Sequence, residues 1–151
     1  MPVLSQTLTE ITNSSYAWKI YSSNLQTVLD FTFKLKRLGT ISNSGDKINF
    51  EIYTNDSVSN LPDALAYSIG SVKYSELSLS YNEFNLVLST PIELSGETYY
   101  WIVMTVDNLP TAPTGTPTFY IQTLAKTSGF FGYRSGNWFL TENLTAYTKF
   151  T

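Results

Sequence analysis

The sequence predicts an all-β fold, a jelly-roll-like antiparallel β-sandwich of about nine or ten strands with an N-terminal arm. Three observations carry this. Apolar residues recur at every second position in short runs, the period of a half-buried strand. Clusters of Ser, Asn, Asp, Gly and Pro break the chain into runs of roughly 8–12 residues, as in sandwiches and barrels. Charged residues make up only 14% of the 151 positions, against about 25% in an average chain. The polarity is carried instead by Ser, Thr and Asn, which suit turns and strands.

From the N-terminus, residues 1–15 read as an arm. Leu4 and Leu8 share one face of a loose alternation, and Thr12-Asn13-Ser14-Ser15 separates it from the first strand of the domain. The arm either forms an edge strand of its own domain or reaches onto a neighbour. Residues 16–21 are a short strand, and residues 27–38 a long one. In the long strand Leu29, Phe31, Phe33 and Leu35 alternate with Asp30, Thr32, Lys34 and Lys36. The turn Asn43-Ser44-Gly45-Asp46 leads into strand 47–54, where Ile48, Phe50 and Ile52 point one way. Strand 65–72 comes after a polar loop and places Leu65, Tyr67 and Ile69 on one face. A connection through Tyr74 and Tyr81 leads to strand 83–89, with Phe84, Leu86 and Leu88 inward and Pro91 as its stop. Residues 97–106, ETYYWIVMTV, are apolar on both faces, as in a central strand covered on both sides. A Pro-rich, Thr-rich loop at 107–117 precedes strand 118–124. Residues 129–133 and 137–140 form a hairpin around Arg134-Ser135-Gly136, and strand 145–150 closes the chain. The length suits one domain, here residues 16–151, and no internal repeat is present.

Composition excludes several function classes. The net charge of −3 and scattered Lys and Arg argue against nucleic acid, which requires clustered cations. The chain has no Cys and no His, which removes disulfides, thiol chemistry, His-based triads and the commonest zinc ligands. The N-terminal residues lack the basic and apolar regions of a signal peptide, and no stretch reaches the ~20 apolar residues of a membrane helix. No phosphate-binding or nucleophile-elbow motif occurs, and no cofactor is expected.

The order of landmarks resembles a carbohydrate-binding-module-like jelly-roll family found in phage virion proteins and bacterial surface proteins. The resemblance rests on Ile20-Tyr21-Ser22, Leu35 to Gly39, Ile52-Tyr53-Thr54, Leu61-Pro62, Phe84 to Leu86, the Leu94-Ser95-Gly96-Glu97-Thr98-Tyr99-Tyr100 stretch, Tyr133 to Trp138, and Ala146 to Phe150. It spans residues 16–151. Asn143-Leu144 stands where the family has Asp-Leu. The resemblance implies a structural or binding module, not an enzyme. It implies a virion structural protein on the particle surface, a capsid decoration or fibre-type subunit contacting other virion proteins and its own copies.

Candidate residues divide by chemistry. Tyr133, Arg134, Asn137 and Trp138 on the predicted hairpin combine rings with hydrogen-bonding groups, as a glycan site requires; core packing is the alternative for the rings. Leu4 and Leu8 of the arm, with outward-facing Tyr53, Tyr100 and Tyr120, are candidate assembly contacts, since Tyr is enriched at interfaces. Tyr74 and Tyr81 belong to the same outward group. Asp46, Glu51, Asp56 and Asp63 are the acids that would have to converge to hold a structural calcium, and their spacing matches no calcium loop. A glycosidase would need two carboxyls about 5–9.5 Å apart. Glu76, Glu83, Glu93 and Glu97 qualify by type alone. The main expectation is a non-enzymatic virion-surface protein; the alternative is glycan adhesion, and a carboxylate glycosidase comes third.

Overall fold

A computed structural model describes residues 4–7, 15–37, 47–80, 82–106, 119–134, 137–146 and 148–151. Ten strands are present among them: β1 (Leu4–Thr7), β2 (Ser15–Ser22), β3 (Gln26–Arg37), β4 (Lys47–Asn55), β5 (Pro62–Lys73), β6 (Asn82–Leu94), β7 (Thr98–Val106), β8 (Phe119–Arg134), β9 (Asn137–Ala146) and β10 (Thr148–Phe150). One 3-10 turn, Tyr74–Glu76, joins β5 to β6. The expected turn at residues 43–46, the loop at 107–117, the hairpin turn Ser135-Gly136, and Leu8 and Tyr81 lie outside the described residues.

All pairings are antiparallel, and they make two sheets. The front sheet runs β9-β8-β2-β7-β4-β5, with β1 added to the first half of β8. The back sheet is built on β3, with β6 on one flank and β10 and the start of β8 on the other. Seven strands lie on one continuous hydrogen-bonded path, because β8 belongs to both sheets. Its first residues, Phe119 to Ile121, pair with β3 at Arg37 to Leu35, and the remainder pairs in the front sheet. The two segments expected at 118–124 and 129–133 are therefore one strand crossing from sheet to sheet. Residues 4–7 of the arm form β1, which pairs with β8 of its own chain at Leu4↔Leu124.

The core fills the space between the sheets. Phe33 of the back sheet stacks on Phe50 of the front sheet, with ring centroids 4.1 Å apart. Trp18 meets Phe33 edge-on at 6.0 Å. The Trp18 indole N–H donates to the Thr148 hydroxyl at 2.9 Å, tying β2 to the last strand across the sandwich. Fully buried Ile48, Ile52, Ile102 and Met104 add to the front-sheet contribution. Burying each such side chain contributes about 1.5–3 kcal/mol.

Three expectations about this core are corrected. Leu29 is 53% exposed, and Val28 is buried in its place. Between Val28↔Ile92 and Asp30↔Val87, β3 spends one residue where β6 spends four. This bulge flips the inward phase of β3, so the alternation beginning at Phe31 does not extend back to Leu29. Pro91 does not stop β6, which continues to Leu94. Pro91 falls within the unpaired bulge of a strand that among the described residues pairs with β3 alone, where the missing N–H costs no ladder bond. Leu65 is also exposed, because β5 passes register shifts against β4.

The 97–106 stretch behaves as its composition predicts. β7 lies between β2 and β4. Tyr100, Ile102 and Met104 face the main core, while Trp101 and Val103 are buried on the opposite face with Ala17, against Tyr53 and Trp138. Tyr99 departs from the expectation that both faces of this stretch are covered: at the end of the strand it is 49% exposed.

Candidate functional site

The outer face of the front sheet carries the candidate site. On β2 this face presents Ser15, Ala17, Lys19 and Tyr21; the register sets them against Thr105, Val103, Trp101 and Tyr99 of β7. The next strand adds Asn49, Glu51 and Tyr53 of β4, across from Thr105, Val103 and Trp101. An outer sandwich face is ordinarily polar. Here its centre is a second small core, and aromatic rings border it.

At one end of the face Tyr21 and Tyr99 form a directly paired cross-strand couple. Their ring centroids are 4.8 Å apart, the planes tilted by 49°, and each residue is about half exposed. Lys19 lies over this platform. Its ammonium nitrogen is 4.7 Å from the Tyr99 ring centroid and 5.3 Å from that of Trp101, within the range of cation–π attraction. It also donates to the Asn60 side-chain oxygen. Partial burial lowers the Lys19 pKa. No carboxylate among the described residues pairs with it. Trp101 beneath is fully buried and its indole N–H donates to Asn55 Oδ1 at 2.9 Å.

The turns at this end are held by specific contacts. In the β4–β5 hairpin Asp56 accepts the Val58 N–H and the Ser59 hydroxyl, both at 2.9 Å, and these bonds hold its carboxyl below the usual carboxylate range. Asn60 adopts φ +58° there, a left-handed conformation that Asn tolerates better than most residues. In the β6–β7 turn Gly96 lies against the β2–β3 turn; a Cβ added to it would meet the Leu25 backbone nitrogen at 3.0 Å. Glu97 is next, at φ +50°, and its N–H donates to the Ser23 carbonyl at 3.3 Å. The Leu94-Ser95-Gly96-Glu97-Thr98-Tyr99-Tyr100 stretch is thus a packing turn that delivers Tyr99 to the surface and Tyr100 to the core.

Further along the same face is a hollow of about 330 Å³ between β7, β4 and β5, lined by Asn49, Glu51, Ser68, Gly70, Ser71 and Thr105, with Phe50. Its origin is the register. Glu51 pairs with Ser68 but Phe50 pairs with Gly70, so β5 carries one extra residue. Gly70, at φ +151°, lines it with backbone; a Cβ there would point away from it, toward Leu86 at 3.7 Å. Between hollow and platform stands Tyr53, whose hydroxyl pKa is raised by burial and then by the Glu51 charge.

The sequence-predicted residues distribute unevenly. The register pairs Tyr133 with Ser15 on β2 and with Trp138 on β9, and Arg134 with Asn137, as the predicted hairpin requires. Trp138 is half-buried and packs against the small outer core. Leu4 and Tyr120 lie on β1 and β8, opposite Leu124 and Lys36. Tyr53 is half-buried on the outer face. Tyr100 and Tyr74 are corrections: both are buried, at 7% and 0% exposure. Tyr100 falls on the inner phase of β7 and its hydroxyl accepts the Ser95 N–H at 2.9 Å. The platform residues Tyr21, Tyr99, Lys19 and Asn60 carried no signal as a group, because they come from three separated segments. Tyr21 and Tyr99 stood in the resemblance stretches only as pattern residues.

The acids do not assemble. Among the described residues no group of three or more Asp or Glu is placed to hold a metal ion; Asp46 lies outside them. Glu83 and Glu93 are opposite Lys34 and Thr27 of β3, ten steps apart on β6 and so on the order of 30 Å. No helix among the described residues is long and apolar enough to cross a membrane.

Fold and surface together define the class: a jelly-roll-like antiparallel β-sandwich whose outer face bears exposed aromatic rings. Among solved structures, a family 35 carbohydrate-binding module from Clostridium thermocellum is similar, at 11% identity, covering 80% of this chain and 88% of that one with a TM-score of 0.41. No family model matches the chain, and no curated protein matches it.

Proposed function

We propose that this protein is a non-catalytic module that binds glycan on the outer face of its front sheet. The observation that carries the reading is the Tyr21–Tyr99 pair, half exposed at the sandwich end beside the Lys19 ammonium and the Asn60 amide. A sugar ring offers an apolar C–H face and a rim of hydroxyls. The half-exposed ring surface of Tyr21 and Tyr99 complements the face, and an ammonium and an amide complement the rim. Tyr133, Arg134, Asn137 and Trp138 belong to the same sheet on the other side of β2; successive pairs alternate faces, and Trp138 packs on the small outer core, so the Tyr133–Trp138 pair falls in the outer phase.

The test is a glycan array followed by calorimetric titration of the wild type and Tyr99→Ala. Tyr99→Ala abolishes binding and leaves the fold intact, since the side chain is half exposed. Trp138→Ala, which removes packing on the small outer core, lowers stability as well. Binding unchanged by Tyr99→Ala removes the platform from the site. Turnover of any bound glycan overturns the non-catalytic part of the reading.

A second reading keeps the protein on a phage particle surface as an assembly subunit, the location the family resemblance implies. Its support is that Leu25 and Val58, 70% and 95% exposed, stand at the same end as Tyr21 and Tyr99. Light scattering on the full chain, and binding to assembled particles, separate the two. A defined oligomer that loses its contacts in Val58→Asp favours assembly. A monomer with neither self-association nor particle affinity removes it.

A further inference from the structure

We infer that the outer face takes a linear oligosaccharide held at two points, the Tyr21–Tyr99 platform and the hollow beside Gly70. This rests on the glycan-binding reading and adds the size and class of the ligand. The hollow, about 330 Å³, is within the range of small-molecule sites. Its lining is a carboxylate from Glu51, an amide from Asn49 and hydroxyls from Ser68, Ser71 and Thr105. That set offers acceptors and donors together, which is what a polyol needs and what an apolar ligand or a bare anion does not. The bulge that opens the hollow lies on β5, which among the described residues pairs with β4 alone and ends the front sheet.

The two points belong to one strip. Tyr99 and Thr105 are six residues apart on β7, and the register carries both rows across to β2 and β4. Six strand residues span about 20 Å, longer than any single sugar ring. Lys19, Tyr53 and Glu51 fill the interval, each partly exposed, and supply alternating polar and aromatic contacts. A chain of linked sugars running along the strands meets a ring at one end and hydrogen-bonding groups at the other. A monosaccharide reaches only one of them.

The experiment uses the full chain. Glycan-array binding comes first. Calorimetry is then run on β-1,4-linked gluco-, manno- and xylo-oligosaccharides of one to six units, with Ser71→Phe to fill the hollow, Glu51→Gln to remove its charge, and circular dichroism as the folding control. Affinity should rise about tenfold or more between short and long members, the effect of one or two added hydrogen bonds. Ser71→Phe and Glu51→Gln should cancel that rise and leave the short members unchanged. Affinity independent of length, yet lost in Tyr99→Ala, overturns the two-point ligand and leaves the glycan-binding reading standing. No affinity for any saccharide on the array or in the series overturns both.

Discussion

The bond from Trp18 to Thr148 should act as a latch between the first strand of the sandwich domain and its last. Trp18 is fully buried, stands edge-on to Phe33, and donates its indole N–H across the sandwich to the Thr148 hydroxyl at 2.9 Å. β10 is only three residues long and pairs with Phe31, Thr32 and Phe33, and Thr151 just beyond it continues the ladder to Leu29 and Asp30, so the latch adds a tie to the opposite sheet. Thr148→Val keeps the shape and removes the acceptor; with a net hydrogen bond near 1 kcal/mol and a desolvation cost for the stranded N–H, it should cost about 1–2 kcal/mol. Trp18→Phe removes the same bond together with a buried ring, and about 2–3 kcal/mol is expected from bond and lost packing combined. The double variant should cost about 1 kcal/mol less than the sum, since the bond can be lost only once. Against a total of about 5–15 kcal/mol these are readily measured by urea unfolding, with unchanged slopes as the control. Strict additivity would refute the latch and leave Trp18 as packing alone.

Three further outcomes are expected. Gly96→Ala should destabilise by about 1–3 kcal/mol, as overpacking does, because its Cβ would press on the Leu25 backbone nitrogen at 3.0 Å; an unchanged melting temperature would show that the two turns part freely. Val28→Ala should cost about 1–3 kcal/mol while Leu29→Ala stays within ~0.5 kcal/mol, and the reverse order would place the β3 bulge elsewhere. Asp56, held low by the Val58 N–H and then the Ser59 hydroxyl, should show an NMR titration midpoint below the ordinary value near ~3.9. Because the folded carboxyl titrates below its unfolded counterpart, its contribution to the hairpin is complete above about pH 4 and is lost as pH falls through the folded midpoint. A midpoint at or above the ordinary value would mean that those bonds do not form in solution.

Much of this fold is legible in the chain. Alternation at Phe31, Phe33 and Leu35, and at Ile48, Phe50 and Ile52, states which side chains face inward, because a strand has period two and burial selects one phase. The two-faced composition of 97–106 states that β7 is central. Tyr133 and Trp138 pair as the hairpin reading requires, since a short Gly-containing turn between apolar runs determines its own register. These are local properties, carried by spacing within one element.

Spacing cannot state where a second chain segment changes the phase. The bulge between β3 and β6 buries Val28 and exposes Leu29, and no count along β3 alone contains it. The sheet-crossing of β8 depends on β3 and β2 offering partners at its two ends. The candidate site is of the same kind. Tyr21, Tyr99, Lys19 and Asn60 come from β2, β7 and the β4–β5 turn, and only strand pairing sets the two rings 4.8 Å apart. The hollow exists because β5 spends one extra residue between the pairs Glu51↔Ser68 and Phe50↔Gly70. Local periodicity and burial suffice for the strand class, the inward phase of most strands and the central place of β7, so the order of residues is enough to state them. Which aromatic rings stay at the surface, and what stands beside them, depends on the register between strands distant in the chain, and that register exists only once the sheets have assembled.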